Sequence, residues 1–245
     1  MNNAMKNYCL FCLSYLFLAA CTHPTQSWHT PVDPNGDTPL SPAEQIDLLA
    51  LGDSYTKGQG IAERWSFPYQ LRDSLIQAGC NTGGLKLVAQ TGWRTDQLKA
   101  AIVADPLLRD TVFSVVTLLI GVNNQFQHKP LNQYRVEFEQ LLLDALSLAG
   151  GRRDRVFVLS IPDYAYTPFG QGSPIISADI DLFNAVNEAI TLTYGIAYVG
   201  VTDLSRQGLS ISNWVAPDGL HPSGLQYAAW VHRLLPAVLT ALKAG

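Results

Sequence analysis

The sequence predicts a three-layer α/β/α sandwich built on a five-stranded parallel sheet. Two observations carry that expectation. From Ala43 onward, short apolar runs alternate with longer segments whose apolar residues recur at helical spacing. Strands separated by helices join as parallel crossovers, and the helices then cover both faces of the sheet. The strand runs are also continuously apolar, the pattern of strands buried on both sides.

Each element follows from its own stretch. IDLLAL (46–51) is a strand by its length and bounds, ended by Gly52. Phe67 to Ala78 has apolar residues at 67, 71, 75 and 78, the spacing of a helix, and Gly79 stops it. LKLVAQ (85–90) is the second strand, and Thr95 to Ala104 the second helix, halted before Pro106. VFSVVTLLI (112–120) is β-branched and apolar, the strongest strand signal of the chain. A long helix runs from Leu131 to Ala149 and ends at Gly150-Gly151. VFVLSI (156–161) is a strand ended by Pro162. A helix over Ser177–Tyr194, the strand IAYVGV (196–201) and a last helix over Ser223–Lys243 complete the order.

Composition narrows the function classes. The 245 residues are 47% hydrophobic and 15% charged, with a net charge of −4 and no block of Lys and Arg. Nucleic acid is therefore not an expected partner, and no fixed-period repeat suggests a solenoid or propeller. The expected form is a monomer.

The first 42 residues read as an export and anchoring device. Residues 1–20 place one lysine, Lys6, before an apolar run from Tyr8 to Ala20. That run is shorter than the roughly 20 residues of a spanning helix and suits a signal peptide. Leu18-Ala19-Ala20-Cys21 resembles the lipobox of bacterial lipoproteins, which implies a lipid on Cys21; the alternative is ordinary cleavage near Ala20. Prolines at 24, 31, 34, 39 and 42 make residues 21–42 a tether. The folded domain is then expected over 43–245, with Cys80 as its one thiol and no internal disulfide. Thr22 after the cysteine resembles outer-membrane sorting, so the expected location is the bacterial cell envelope, facing the periplasm if the host is Gram-negative.

The polar residues that interrupt this pattern sit where a parallel sheet binds ligands, beyond the carboxyl ends of its strands. Ser54 directly follows the first strand, and Gly92, Asn123 and Asp163 each follow a later one. Asp218 and His221 lie just before the last helix, in a loop that Gly219 allows to turn and Pro222 closes. A serine becomes a nucleophile when a base takes its proton, and histidine is the usual base near neutral pH. The histidine in turn needs an acid to fix its tautomer. Of the histidines beyond the tether, His128, His221 and His232, only His221 has an aspartate placed for that task, Asp218.

Gly52-Asp53-Ser54, Gly92 in Thr91-Gly92-Trp93, Gly121-Val122-Asn123-Asn124 and Asp218-Gly219-Leu220-His221 together resemble the four blocks of the SGNH, or GDSL, hydrolases. The resemblance spans roughly residues 46–244, in the family's order. It implies Ser54 as nucleophile, His221 as base and Asp218 as the acid that orients it. It also implies an oxyanion hole made by the Ser54 and Gly92 N–H groups with the Asn123 amide. The five strands fit a flavodoxin-like order, 2-1-3-4-5, as one of the orders the sequence leaves open. Asn124 departs from the family's usual Asp and is expected to alter loop support rather than chemistry.

Other residues have plainer expected roles. Asp53 suits a helix cap or turn, and Asp163 a turn, with a second acid for His221 as its alternative. His128 and His232 are expected on the surface or in helix packing. Tyr55, Trp93, Phe126, Tyr164 and Trp214 are the pocket candidates, drawn from aromatics of the rim loops that also include Tyr166 and Phe169. No metal and no cofactor are expected, since no paired His or Cys stands at ligand spacing.

The expected function is a lipid-anchored serine esterase acting on short-chain acyl or acetyl esters, with activity that rises as the histidine base loses its proton. The alternatives are a lysophospholipase or thioesterase of the same family, and a catalytically silent ligand-binding lipoprotein.

Overall fold

The computed structural model describes residues 45–244. The expected signal peptide, lipidation at Cys21 and tether lie outside the described residues. The elements run β1 (Ile46–Gly52), α1 (Ser54–Lys57), α2 (Phe67–Gln77), β2 (Thr82–Ala89), α3 (Thr95–Ala104), β3 (Val115–Leu119), α4 (Val122–Phe126), α5 (Leu131–Leu148), β4 (Val156–Leu159), α6 (Pro174–Thr193), β5 (Ala197–Val199), α7 (Thr202–Ser205) and α8 (Gly224–Lys243).

The five strands form one parallel sheet in the order β2-β1-β3-β4-β5. β1 is an interior strand: its Gly52 stands between Ala89 of β2 and Leu119 of β3. The chain goes from β1 out to β2 on one side and then crosses back past β1 to β3 on the other, so a crevice opens beyond the carboxyl end of β1. Helix α2 packs against α8 on one face, while α3 packs on α5 and α5 on α6 across the other. The sheet between them is dry. Leu48, Leu49, Leu51, Val115, Val116, Leu118 and all of β4 are buried.

One aromatic cluster fixes the last helix to the start of the site. Trp230 of α8 is fully buried, with its ring 4.9 Å from Tyr227, 6.1 Å from Phe67 and 6.5 Å from Tyr55. Tyr227 donates its hydroxyl hydrogen bond to the Tyr55 carbonyl at 2.8 Å. Buried aromatic bodies of this size dominate local packing; the Tyr227 hydroxyl finds an acceptor, whereas the buried Trp230 indole N–H does not.

The expected elements all form, with shifted ends. β3 starts at Val115 rather than at 112, because Phe113 N–H is taken by the Leu148 carbonyl and Ser114 N–H by Asp47. β2 starts earlier, at Thr82, where Gly84 N–H donates to the Asp47 carboxylate. α6 begins three residues before the expected Ser177, capped by Ser173 with Pro174 in its first turn. The short helices α1, α4 and α7 were not foreseen; four or five residues carry no readable period.

Candidate active site

The turn after β1 presents Ser54. A Cβ at Gly52 would run into Thr56 Oγ1 and the Leu119 carbonyl, so glycine is what lets α1 start directly off the strand. Asp53 caps α1 by accepting from the Tyr55 N–H at 2.9 Å. Its carboxyl is buried, and that burial pushes its pKa up to about 7 against the opposing pull of the Tyr55 N–H. Asp53 thus serves as the expected cap.

The neighbouring strand ends supply donors. Gly92 adopts a left-handed φ of 83° with open space where a side chain would stand, so its backbone faces the crevice directly. Asn123, in the first turn of α4, donates from Nδ2 to the Trp93 carbonyl at 2.9 Å. That bond joins the loops after β2 and β3 and leaves the amide's second N–H for another acceptor.

Asn124 holds the same two loops from behind. Its Oδ1 accepts from Thr95 N–H at 3.1 Å and its Nδ2 donates to Thr95 Oγ1 at 2.7 Å. Thr95 Oγ1 passes its own proton to Glu137 Oε2. The amide therefore works in a chain of donors that ends on a carboxylate one helix away.

The loop before α8 sets the imidazole. His221 Nδ1 lies 2.7 Å from Asp218 Oδ2, and Asp218 Oδ1 accepts from the N–H groups of Leu220 and His221, both at 3.0 Å. Partial burial raises the Asp218 pKa, but the two N–H groups and the imidazole outweigh it and hold the carboxyl below its ordinary range. A carboxylate at Nδ1 selects the tautomer with the proton on Nδ1, leaving the Nε2 lone pair as the base. The loop is closed by the Ala216 N–H to His221 carbonyl bond at 2.7 Å and the bridge between Val215 and Pro222. Gly60 packs against the other side of the Asp218 carboxylate, where a Cβ would collide with it.

Ser54, Gly92, Asn123 and His221 line one cavity of about 140 Å³. Tyr55, Phe126 and Tyr164 also line it, and so do Thr91, Val122, Phe169 and Leu220. Trp93 and Trp214 do not. Trp93 packs partly buried against the core and contributes its carbonyl to Asn123. Trp214 donates its indole N–H to the Leu204 carbonyl at 2.7 Å, and its own carbonyl accepts from Ser223 and Gln226. It braces the His221 loop from outside the pocket.

Asp163 belongs elsewhere. Its carboxylate accepts from Ala165 N–H, from Ser177 Oγ at 2.6 Å and from Arg206 Nε at 2.9 Å, so it ties the loop after β4 to α6 and α7 and is no second acid for His221. His128 and His232 are exposed, and Cys80 is a buried thiol. Among the described residues no cluster of three or more His, Cys, Asp or Glu could hold a metal ion, and no helix is long and apolar enough to cross a membrane.

The arrangement can perform acyl transfer: a hydroxyl, an oriented imidazole and donors converge on one small cavity. Solved structures share the fold at low identity. TesA matches with a TM-score of 0.63 at 17% identity, over 80% of this chain and 99% of that one. The family 3 carbohydrate esterase of Clostridium thermocellum gives 0.63 at 20%, over 82% and 98%. Axe2, an acetylxylan esterase from Geobacillus stearothermophilus, gives 0.59 at 19%, over 80% and 94%. No curated protein matches the chain by sequence. The family model described as GDSL-like lipase/acylhydrolase matches residues 50–229, and the chain belongs to that family.

Proposed function

We propose that this protein is a serine esterase that cleaves short-chain carboxylic esters through an acyl-enzyme. The observation that carries the reading is the Asp218–His221 pair at 2.7 Å behind a cavity that Ser54, Gly92, Asn123 and His221 share. In the first half-reaction His221 Nε2 takes the Ser54 Oγ proton as Oγ bonds to the ester carbonyl carbon. The oxyanion that forms is met by the Ser54 and Gly92 N–H groups and the second Asn123 N–H; one such donor is worth about 3 kcal/mol in the transition state. The C–O bond to the alcohol then breaks, and the alcohol leaves with the proton from His221. Water repeats the sequence on the acyl-serine and releases the acid.

Turnover of p-nitrophenyl esters by the domain starting near Ser41, beside Ser54→Ala, tests this. The expected loss is at least about 10⁴-fold in kcat, with fluorophosphonate labelling abolished. Undiminished turnover in Ser54→Ala would remove the serine from the chemistry.

We further propose that the protein is exported as a monomer and held at the cell envelope by a lipid on Cys21, with residues 22–42 as its tether. A single acyl chain holds only marginally, so more than one is implied. Cys21→Ser should release soluble, active protein. Membrane association that survives the change would refute the anchor.

A further inference from the structure

Three rings make up one side of the cavity. Phe126, Tyr164 and Phe169 stand in mutual contact, with centroids 6.2 Å apart in each of the three pairs. Tyr164 spends its hydroxyl on Gln125 Oε1 at 2.9 Å, and Gln125 in turn donates to Asp179 at 3.1 Å. The tyrosine therefore offers the cavity carbon rather than a polar tip. Phe126 and Phe169 are 51% and 53% exposed, large apolar rings with much of their surface in water.

The wall is also built to stay in place. Phe169 N–H is held by the Gly219 carbonyl at 2.9 Å, beside the catalytic loop. Thr167 Oγ1 donates to the Tyr164 carbonyl at 2.7 Å and accepts from Gly170 N–H at 3.1 Å. Gly172 N–H closes the turn on the Ala165 carbonyl at 2.7 Å. A side chain at Gly170 would strike the Tyr164 carbonyl and the Ala165 backbone, so the loop needs a glycine there. Preorganised apolar surface of this kind binds without first ordering itself.

The loop over 57–63 is different. Thr91, in the cavity wall, donates to Gln59 Oε1 at 2.7 Å. Beyond Gln59 lies an open trough of about 460 Å³ lined by residues 57–63, among them Lys57, Gln59 and Glu63. Gly60 of this loop touches the Asp218 carboxylate. The acyl group stays bonded to Ser54 Oγ through both half-reactions, so it remains beside the apolar wall that shares a cavity with Ser54.

Resting on the esterase reading, we propose that Phe126, Tyr164 and Phe169 form an acyl pocket. Volume sets the capacity. A cavity near 150 Å³ holds a benzene-sized group, so this partly open 140 Å³, which also takes the reacting carbonyl, accommodates an acyl group of at most about six carbons. Acetyl leaves most of the rings wet, and decanoyl overruns them.

The test is kcat/KM for p-nitrophenyl esters from acetyl to dodecanoyl in the wild-type protein, Phe126→Ala and Phe169→Ala, both sites half-exposed so that folding is spared. The wild type should gain up to about fourfold per methylene as far as hexanoyl and lose ground beyond octanoyl. Each variant should lose on the order of tenfold on the hexanoyl ester and less than about threefold on acetyl. An equal loss on both esters, no loss at all, or a wild-type optimum at decanoyl or longer overturns the pocket. So does a loss that follows the alcohol, seen with acetyl esters of naphthol and of glycerol. Calorimetric binding of the hexanoyl and acetyl esters to Ser54→Ala separates this from the esterase reading. With no wild-type turnover the esterase reading falls, yet hexanoyl-selective binding that Phe169→Ala removes still supports the pocket, and binding indifferent to chain length overturns it.

Discussion

At the residue scale, the replacement of the family's usual Asp by Asn124 has a partner in Glu137. Asn124 Nδ2 donates to Thr95 Oγ1, which donates to Glu137 Oε2. A hydroxyl has one proton. With a carboxylate at 124, Thr95 would face two acceptors and satisfy one, leaving a partly buried charge without its hydrogen bond. Asn124→Asp should therefore lower both Tm and kcat although it restores the family's residue. Adding Glu137→Gln supplies a donor at the far end, reverses the direction of the chain and should recover most of the loss. The coupling energy expected between two such neighbours is about 1–3 kcal/mol. Additive losses in the double variant, measured by thermal melts and kcat, would mean that the chain does not act as a unit. Because Asn123 is held to Trp93 between the same two loops, the kcat loss should exceed any change in KM.

At the scale of elements, what the sequence could and could not reveal follows from how far each feature depends on distant contacts. Strands and long helices were legible because burial on two faces or one stripe writes a period into the residues themselves. Ser54 and Asn123 stood out as polar residues shortly after apolar runs, and Asp218 and His221 as an acid and a base three residues apart; the fold brings Ser54, Gly92, Asn123 and His221 to one cavity with Asp218 on His221. The ring wall was not resolved. Trp93, Phe126, Tyr164, Phe169 and Trp214 look alike as rim aromatics, and what separates them is the direction of each loop. The turn over 164–172 is fixed by Thr167 and Gly170 and aims Phe169 at the cavity, whereas Trp214 is drawn away by the Leu204 carbonyl. The packing of Gly60 on Asp218 is equally invisible in one dimension, because the two residues are far apart in the chain and meet only when α2 and α8 pack on the same face.

At the scale of the whole molecule, buried Asp53 sets a pH dependence opposite to that of most shifted carboxyls, and burial raises Asp144 in the same direction. Asp96, Asp203 and Asp218 all have lowered pKa values, so each contributes stability above its unfolded pKa and loses it as pH falls. Asp53 has the reverse sign. Its pKa rises from 3.8 to about 7 because it is buried among Tyr55, Tyr134 and Tyr227, with Oδ2 lacking a hydrogen-bond partner. Between about pH 4 and 7 the folded chain keeps a proton that the unfolded chain has released. Stability from this group is full below pH 4 and is lost as pH rises through 7, by about 1.4 kcal/mol per unit and about 4 kcal/mol in all. Asp53→Asn keeps an oxygen for the Tyr55 N–H and removes the charge. Its melting temperature should exceed that of the wild type by on the order of 10 °C at pH 8, with the gap closing steadily as pH falls to 4. A gap independent of pH, or a less stable variant at pH 8, would show that Asp53 is ionised at no cost in the folded protein. The serine thus sits one residue from a carboxyl whose burial the fold sustains at the expense of alkaline stability, and the cap it makes on α1 is what that expense secures.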